Sequence, residues 1–365
     1  MKPIYKVTVQ SDEFTKAAST AFDYKFEGES VFEGWEMPDV PKDFSIGLIL
    51  GPSGSGKSLL LSQFGQEESP IWIQNKATVS HFETPEDAVD RLMAVGLNSI
   101  PSWCRPFHVL SNGEQFRANL ARKLKNSAVI DEFTSVVDRN VAKAASVAMR
   151  RYVDRKGLKN IVLASCHYDI LDWLRPDWYF DTVDGILHDG RSLQRPSIEI
   201  EIYPCKRSIW SMFAKHHYLT EKLAGGCRAY LAVATFYQDI FSLDEQPKTI
   251  VGFASTIPFP HGYIKNAYRE HRTVVLPDFQ GLGLGPKISD AVAQIHLDEG
   301  KRYFSRTAHP RFGAYRDRSK TWKRTSNNRK ISRKTGYTDA SKLQAWKIDS
   351  TRECFSHEYI GNPQK

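Results

Sequence analysis

The stretch SIGLILGPSGSGKS, residues 45 to 58, limits what this chain can fold into more than any other, because an apolar strand runs directly into Gly51-x-x-x-x-Gly56-Lys57-Ser58 and then into a helical sequence, LLLSQF. A glycine-rich turn between strand and helix aims backbone N–H groups into one concavity at a helix N-terminus, where the dipole adds positive potential. Gly51, Ser53, Gly54 and Gly56 provide the curl. Lys57 is expected to reach the β- and γ-phosphates of a nucleoside triphosphate such as ATP, and Ser58 to offer its hydroxyl to Mg²⁺.

Farther along, Ser127-Ala-Val-Ile-Asp131-Glu132 reads as a short apolar strand ending in two carboxylates. Asp131 is expected to hold Mg²⁺ through its water shell and Glu132 to polarise an attacking water for in-line displacement. Between loop and strand, Leu110-Ser111-Asn112-Gly113-Glu114 opens an amphipathic helix with Phe116, Leu120 and Leu124 at four-residue spacing. Ser111 is a natural N-cap and Gly113 allows close backbone approach, so this helix start suits an anion.

The order of these pieces resembles the ABC-type ATPase family over roughly residues 20 to 196. Its signature loop is similar to Leu110–Glu114, its magnesium strand to Ala128–Glu132, and its following loop to Ser135–Asp138. Its switch histidine is similar to His167, after the strand Ile161–Ser165, and its glutamine sensing Mg²⁺ and the γ-phosphate to Gln74, after the apolar run Ile71-Trp72-Ile73. Two positions depart from the pattern: Asn112 replaces the first signature glycine, and Phe133 stands where a proline is usual. The segment between phosphate loop and signature is also shorter than in transporters of the family, which makes soluble relatives acting on nucleic acids the better comparison. The resemblance implies a head-to-tail homodimer in which the Ser111 loop of one chain closes on the γ-phosphate held by Lys57 of the other.

The second half opens with Ile198-Glu-Ile-Glu-Ile202, a strict alternation typical of a half-buried strand, and a helical stretch is expected near Ser208–Tyr218. Strands are expected at Arg228–Thr235, Thr249–Ile257 and Arg272–Leu276. A second glycine loop, Gln280-Gly281-Leu-Gly283-Leu-Gly285, leads into a helix at Lys287–Leu297, and a strand at Arg302–Thr307 and a helix at Arg311–Arg318 follow. The spacing does not satisfy the dinucleotide pattern G-x-G-x-x-G. It resembles the pyrophosphate loop of the GNAT N-acetyltransferases instead, which implies acetyl-coenzyme A or another acyl-CoA as cofactor.

By the same resemblance Tyr315 is the residue placed to protonate a departing thiolate, with Ser305 and the His216-His217-Tyr218 cluster as further candidates. The joining of a soluble ABC-type ATPase to a GNAT-like domain resembles a family of fused proteins, many from phages and prophages, whose acyltransferase part is similar to the Mom group of DNA-modifying enzymes. The matching residues are His216-His217-Tyr218, the glycine loop, and Thr307-x-His309-Pro310 through Arg316.

Length and charge fit this division. A chain of 365 residues accommodates two domains, expected as an α/β ATP-binding domain over 1–196 and an α+β GNAT-like domain over 197–365. Residues 1–196 hold 23 basic and 26 acidic side chains, net −3, so of the 50 and 42 in the whole chain the remainder holds 27 and 16, net +11. Residues 301–334 alone carry 13 Lys or Arg against the single acid Asp317, interleaved with aromatics. Such a segment suits a nucleic-acid backbone and stacked bases, a pocket for a phosphorylated cofactor, or a solvated surface.

Five scattered cysteines without a C-x-x-C pair suggest neither a disulfide framework nor a zinc site. The absence of a long apolar run or signal peptide leads us to expect a soluble, cytoplasmic protein with no membrane partner, in a bacterial host if phage-encoded. Three functions compete: an acyltransferase modifying a nucleic-acid base with the ATPase dimer clamping the substrate, an ATP-gated nucleic-acid clamp with a non-catalytic GNAT-like module, and an acyltransferase acting on a protein or small amine.

Overall fold

A computed structural model describes residues 3–217, 222–237, 247–331 and 353–361. The chain divides into two compact units, one of residues 1–97 and 102–195, the other of residues 98–101 and 196–365.

The first unit begins with β1 (Ile4–Thr8), α1 (Glu13–Phe22) and β2 (Glu29–Glu33), the two strands pairing antiparallel. There follow β3 (Ile46–Leu50), α2 (Lys57–Leu61), α3 (Pro85–Ala94), α4 (Ile100–Trp103), which runs across the residue 101/102 division, and α5 (Asn112–Lys123). The unit ends with β4 (Val129–Ile130), α6 (Arg139–Lys156), β5 (Ile161–Ser165), α7 (Leu171–Leu174), β6 (Trp178–Asp181) and β7 (Ile186–Asp189). Among the described residues the main sheet runs β4-β5-β3-β6-β7, parallel except at the β7 edge.

Every residue of β3 is buried, as a strand covered on both faces requires. Ile46, Leu48 and Leu50 pack with Leu92 of α3, Leu120 of α5 and Met149 of α6, while Ile49 packs on the other face with Leu60 and Leu61 of α2. The 18-residue α6 starts where Asp138 accepts from the amides of Asn140 and Val141 and stops at Gly157, in left-handed backbone.

The second unit contains β8 (Ser197–Pro204), β9 (Arg228–Tyr237), β10 (Thr249–Pro258), β11 (Ala267–Val275), α8 (Leu284–Asp298), β12 (Arg302–Thr307), α9 (Pro310–Arg318), β13 (Trp322–Arg324), β14 (Lys330–Ile331) and β15 (Glu353–Tyr359). Its sheet runs β13-β15-β12-β11-β10-β9-β8, with β14 paired to β15. β8 to β11 form an antiparallel meander, and α8 then returns the chain so that β12 lies parallel to β11.

That parallel pairing covers only Ala267–Arg269 against Arg302–Phe304. Beyond it β11 runs on to Val275 and β12 to Thr307 without pairing to each other, so the strands part. α8 lies close on the sheet: a side chain at Gly252 would meet the Val274 carbonyl at 2.8 Å and Ile288 at 2.9 Å.

Three expectations need correction. The helix after the phosphate loop begins at Lys57 and ends at Leu61, short of Phe64. The stretch expected to be helical at Ser208–Tyr218 forms two 3₁₀ turns, Arg207–Met212 and Ala214–His216, anchored by buried Trp210 and Phe213; Tyr218 lies outside the described residues. β11 starts at Ala267, five residues before the expected strand, because its charged first half pairs with β10 and β12. In the apolar run Ile71–Ile73 the Trp72 side chain is the anchored one, stacked on Phe107 and bonded to Asn119, while the side chains of Ile71 and Ile73 face solvent.

Candidate functional site

Register brings the first set of residues together. Leu50 of β3 lies level with Ser165 of β5 and Asp181 of β6, and Ile130 of β4 is level with Leu163. The carboxyl ends of these strands therefore share one edge of the sheet, where open α/β sheets place ligand sites. Onto that edge open the loop 51–58, Asp131 and Glu132, and Cys166-His167.

The loop is tightly fitted. A side chain on Gly51 would collide with Thr182 Oγ1 at 1.7 Å, so no larger residue fits. Thr182 donates to Ser55 Oγ at 2.8 Å and Trp35 donates its indole N–H to the Ser55 carbonyl at 3.1 Å, which holds the loop from both sides. Lys57 curls back to donate to the Pro52 carbonyl at 2.7 Å. Ser53, Gly54 and Ser58 are exposed, and Gly56 caps α2 in left-handed backbone.

After β4 the chain is strained. Glu132 has φ 46° and the buried Thr134 φ 72°, a conformation that costs a β-branched residue on the order of 1–3 kcal/mol. Ser165, level with Leu50, bonds the Phe133 carbonyl at 2.8 Å and the His167 amide at 3.1 Å, holding this turn against β5. The His167 ring stands 3.4 Å from the Thr134 hydroxyl. Burial, then the nearby Arg139 guanidinium, lowers the His167 pKa, so the ring is neutral near pH 7. Arg139 is itself clamped to Asp169. Glu132 is exposed, and Asp131 accepts from its amide at 2.8 Å.

Ser111 is exposed at the N-cap of α5, where its amide and hydroxyl both donate to Glu114 at 3.0 Å. Burial opposes ionisation of Glu114, but the hydroxyls of Ser102 and Ser111 and the Ser111 amide keep it ionised below its usual range. Gly113 is less critical than expected, since a side chain there would only touch Val141 at 3.7 Å. A cleft of about 540 Å³ lies between α5 and β4, lined by Asn112, Gln115, Asn119, Lys123, Asp131 and Glu132. Gln74 sits exposed on a turn.

In the second unit, 3₁₀ turn Pro277–Phe279 leads into the glycine loop. Gln280 donates to the Val275 carbonyl at 3.0 Å, closing the loop on the end of β11. Gly283 caps the 15-residue α8 at φ 80°, a conformation open to glycine, and the free amides of Leu284 and Gly285 begin the helix, Pro286 having none. Gly281 is also left-handed, and Gly285 lies under Phe312 of α9.

Where β11 and β12 part, the gap is filled by a buried polar network that the sequence reading did not anticipate. Glu270 accepts from Ser305 at 2.6 Å and Arg316 at 2.8 Å through one oxygen, and from Thr273 at 2.7 Å and Ser289 at 3.0 Å through the other. Arg316, 1% exposed, also bonds Ser289 and Ser305 and is sandwiched between Phe312 and Trp322. Burial disfavours the Glu270 charge, but Arg316 and the hydroxyls of Ser305 and Thr273 together outweigh it and hold the carboxyl below its usual range.

Ser305 is thus committed to this pair. Tyr315 donates its proton to Asp290, which also accepts from the Trp322 indole at 2.8 Å. Burial and then Asp290 push the Tyr315 phenol well above its usual pKa. Both residues singled out for acyl transfer are therefore bonded inward. His217 is pressed down to about 4 by burial, Arg272 and His271, and stays neutral.

The basic segment is less bare than its sequence suggests. Lys301 pairs with Glu299, Arg302 with Glu358 and Arg316 with Glu270, acids from outside the segment, while Arg324 and Arg329 share Asp317. Arg306, Arg318, Lys320, Lys323 and Lys330 remain exposed, and residues 332–334 lie outside the described ones.

A triphosphate fits the first cradle: a concavity of backbone amides, a lysine held only by a carbonyl, and a strand-end acid beside it. Among the described residues no cluster of three His, Cys, Asp or Glu forms a metal cage. Mg²⁺ keeps much of its water and relies on substrate phosphates, so it does not require such a cage. An acyl-CoA pyrophosphate fits the α8 cradle in the same sense. The groups missed from sequence, Thr182, Glu270 and Asp290, carry no local spacing signal, and Arg316 was noted only as the end of a matching stretch; the charged half of β11 alone hinted at a buried partner.

No family model matches the chain, and no curated protein matches it by sequence. Solved structures similar to parts of it include cbiO1 from Clostridium perfringens, part of the ABC transporter complex cbiONQ, at 19% identity and TM-score 0.31, covering 40% of this chain and 77% of that one. A bacterial ABC transporter cassette, MJ0796, in a dimeric structure is similar at 15% identity and TM-score 0.32, covering 46% and 90%. A putative GNAT-family acetyltransferase from Desulfovibrio desulfuricans is similar at 12% identity and TM-score 0.29, covering 45% and 100%. At these scores the likenesses assign no activity. No described helix is long and apolar enough to cross a membrane.

Proposed function

We propose that the chain is an ABC-type ATPase whose second unit transfers an acyl group from acyl-CoA to an amine of a nucleic-acid base, with an ATP-closed homodimer holding the substrate. The observation that carries this reading is that each unit has a glycine loop at the start of a helix beside a place where strands end or part. In the first unit the strand ends supply Asp131, Glu132 and His167.

In this reading Lys57 and the loop amides bind the phosphates, Glu132 orients the attacking water, and neutral His167 donates its ring N–H to the γ-phosphate. The exposed Ser111 cap supports closure on a second copy. Bound Mg²⁺ offsets the charge developing on the phosphates. A base within a duplex is out of reach of the acyl site, so ATP-driven clamping would help meet the few kcal/mol that flipping costs. The α8 amides hold the pyrophosphate of the acyl-CoA.

Mass spectrometry of nucleosides from DNA and RNA of cells with and without the protein tests the acceptor. A modified nucleoside that appears only with the protein, and disappears with Gly283→Val, supports the reading; identical nucleosides overturn it. The inward bonding of Tyr315 and Ser305 favours a second reading, an ATP-gated clamp whose second unit only binds. Calorimetry with acetyl-CoA separates the two, because the clamp reading requires no heat of binding.

A further inference from the structure

The first unit carries more acid than base, yet it gathers arginines at one place away from the phosphate loop. Arg150 and Arg151 lie in the C-terminal half of α6, Arg175 caps α7 in left-handed backbone, and Arg191 and Arg195 follow β7. Arg150 donates to the Arg175 carbonyl at 3.0 Å, and Asp177 joins Arg150 at 3.5 Å to Arg191 at 4.0 Å.

Asp154 pairs with Arg150 at 2.9 Å, and Asp177, half-buried and already accepting from the amides of Ser45 and Ile46, is shared between Arg150 and Arg191. Among the described residues neither Arg175 nor Arg195 has a carboxylate within ion-pair distance, and Arg195 Nε is buried with no partner. Burial and then the fields of Arg151 and Arg175 lower the pKa of Arg195, against a smaller opposing pull from Asp154. Arg155 and Lys156, one turn on, are by contrast both paired to Asp90.

Like charges packed together cost free energy that an anion recovers. Because Arg151, Arg175 and Arg191 are each exposed, the arrangement suits a chain of phosphates better than a small enclosed anion. We infer that the arginine cluster Arg150, Arg151, Arg175, Arg191 and Arg195 is a phosphodiester-binding surface of the first unit for duplex nucleic acid. This deepens the proposed function, since it rests on nucleic acid being the substrate and adds a contact on the ATP-binding unit.

The test titrates the full chain onto a fluorescein-labelled DNA duplex of about 30 base pairs, by anisotropy, between about 50 and 200 mM salt. Arg151→Gln combined with Arg175→Gln is expected to raise Kd tenfold or more. It should also lower the slope of log K against log salt by about two, as the loss of two phosphate contacts requires. ATP hydrolysis and melting temperature should stay as in the wild type.

Lys320→Gln with Lys323→Gln reports separately on the basic segment. Loss there alone, with the arginine variant binding like wild type, overturns the inference and leaves the nucleic-acid reading standing. A wild-type chain that does not bind the duplex overturns both.

Discussion

Around the phosphate loop the polar groups stand at the surface, with Ser58 and Glu132 exposed and Lys57 resting on a carbonyl. Around the glycine loop of the second unit they are bonded to one another: Glu270 to Arg316, Ser305 to both, and Tyr315 to Asp290. The first arrangement keeps strained backbone at Glu132 and Thr134 and leaves its side chains able to meet a ligand. The second satisfies every oxygen of a buried carboxylate and so fixes the shape of the gap between β11 and β12. One loop is surrounded by groups able to react, the other by groups that build a wall.

The contrast breaks most directly at Lys57. Lys57→Ala is expected to reduce phosphate release from ATP by about 10²- to 10³-fold, the scale of removing one preorganised charge donor, with melting unchanged. Hydrolysis within tenfold of wild type would show that the surface groups are not used. Glu132→Gln should keep ATP affinity and trap a dimer, read by light scattering; a monomer under saturating ATP would sink the head-to-tail arrangement.

In the second unit the largest effect is on stability. Glu270→Gln leaves the Arg316 charge buried without its partner and should cost about 3–5 kcal/mol, seen in chemical denaturation. Glu270→Leu with Arg316→Met should recover part of that loss. A single variant as stable as wild type would mean that the pair does not hold the strands apart.

These residues also mark how far the sequence could be read. The phosphate loop, β8, β10 and β12 announced themselves because their signals are local: glycine spacing, alternation, an apolar run. Glu270 did not, since its partner Arg316 is 46 positions away, and the charges it shares with its neighbours in β11 disguised the start of that strand. The basic segment misled for the same reason, as Glu299, Glu358 and Glu270 reach it only through the fold. Gln74 was placed by motif order alone. The level strand ends that gather Asp131, Glu132 and His167 follow from register, which no single segment encodes.

Smaller effects sharpen the comparison. Gly283→Val sets a branched side chain at φ 80°, where the loop must shift to accept it. Acetyl-CoA affinity should fall by about tenfold or more, a loss of at least about 1.4 kcal/mol, with ATP hydrolysis nearly normal. Unfolding of the second unit without a change in affinity would make the glycine purely structural.

Tyr315→Phe gives the smallest effect and the finest distinction. The phenol proton points to Asp290, whose own pKa burial raises, and nothing else draws that proton toward the glycine loop. If the tyrosine only anchors α9 to α8, losing one hydrogen bond costs about 1 kcal/mol of stability and leaves any acyl transfer within about threefold of wild type, which a thiol-release assay would show. If it protonates the departing thiolate, the rate should fall by about 10²-fold or more, the usual share of a positioned general acid. That result would require the Asp290 bond to open when acyl-CoA binds, and the second wall would then prove to be a gate.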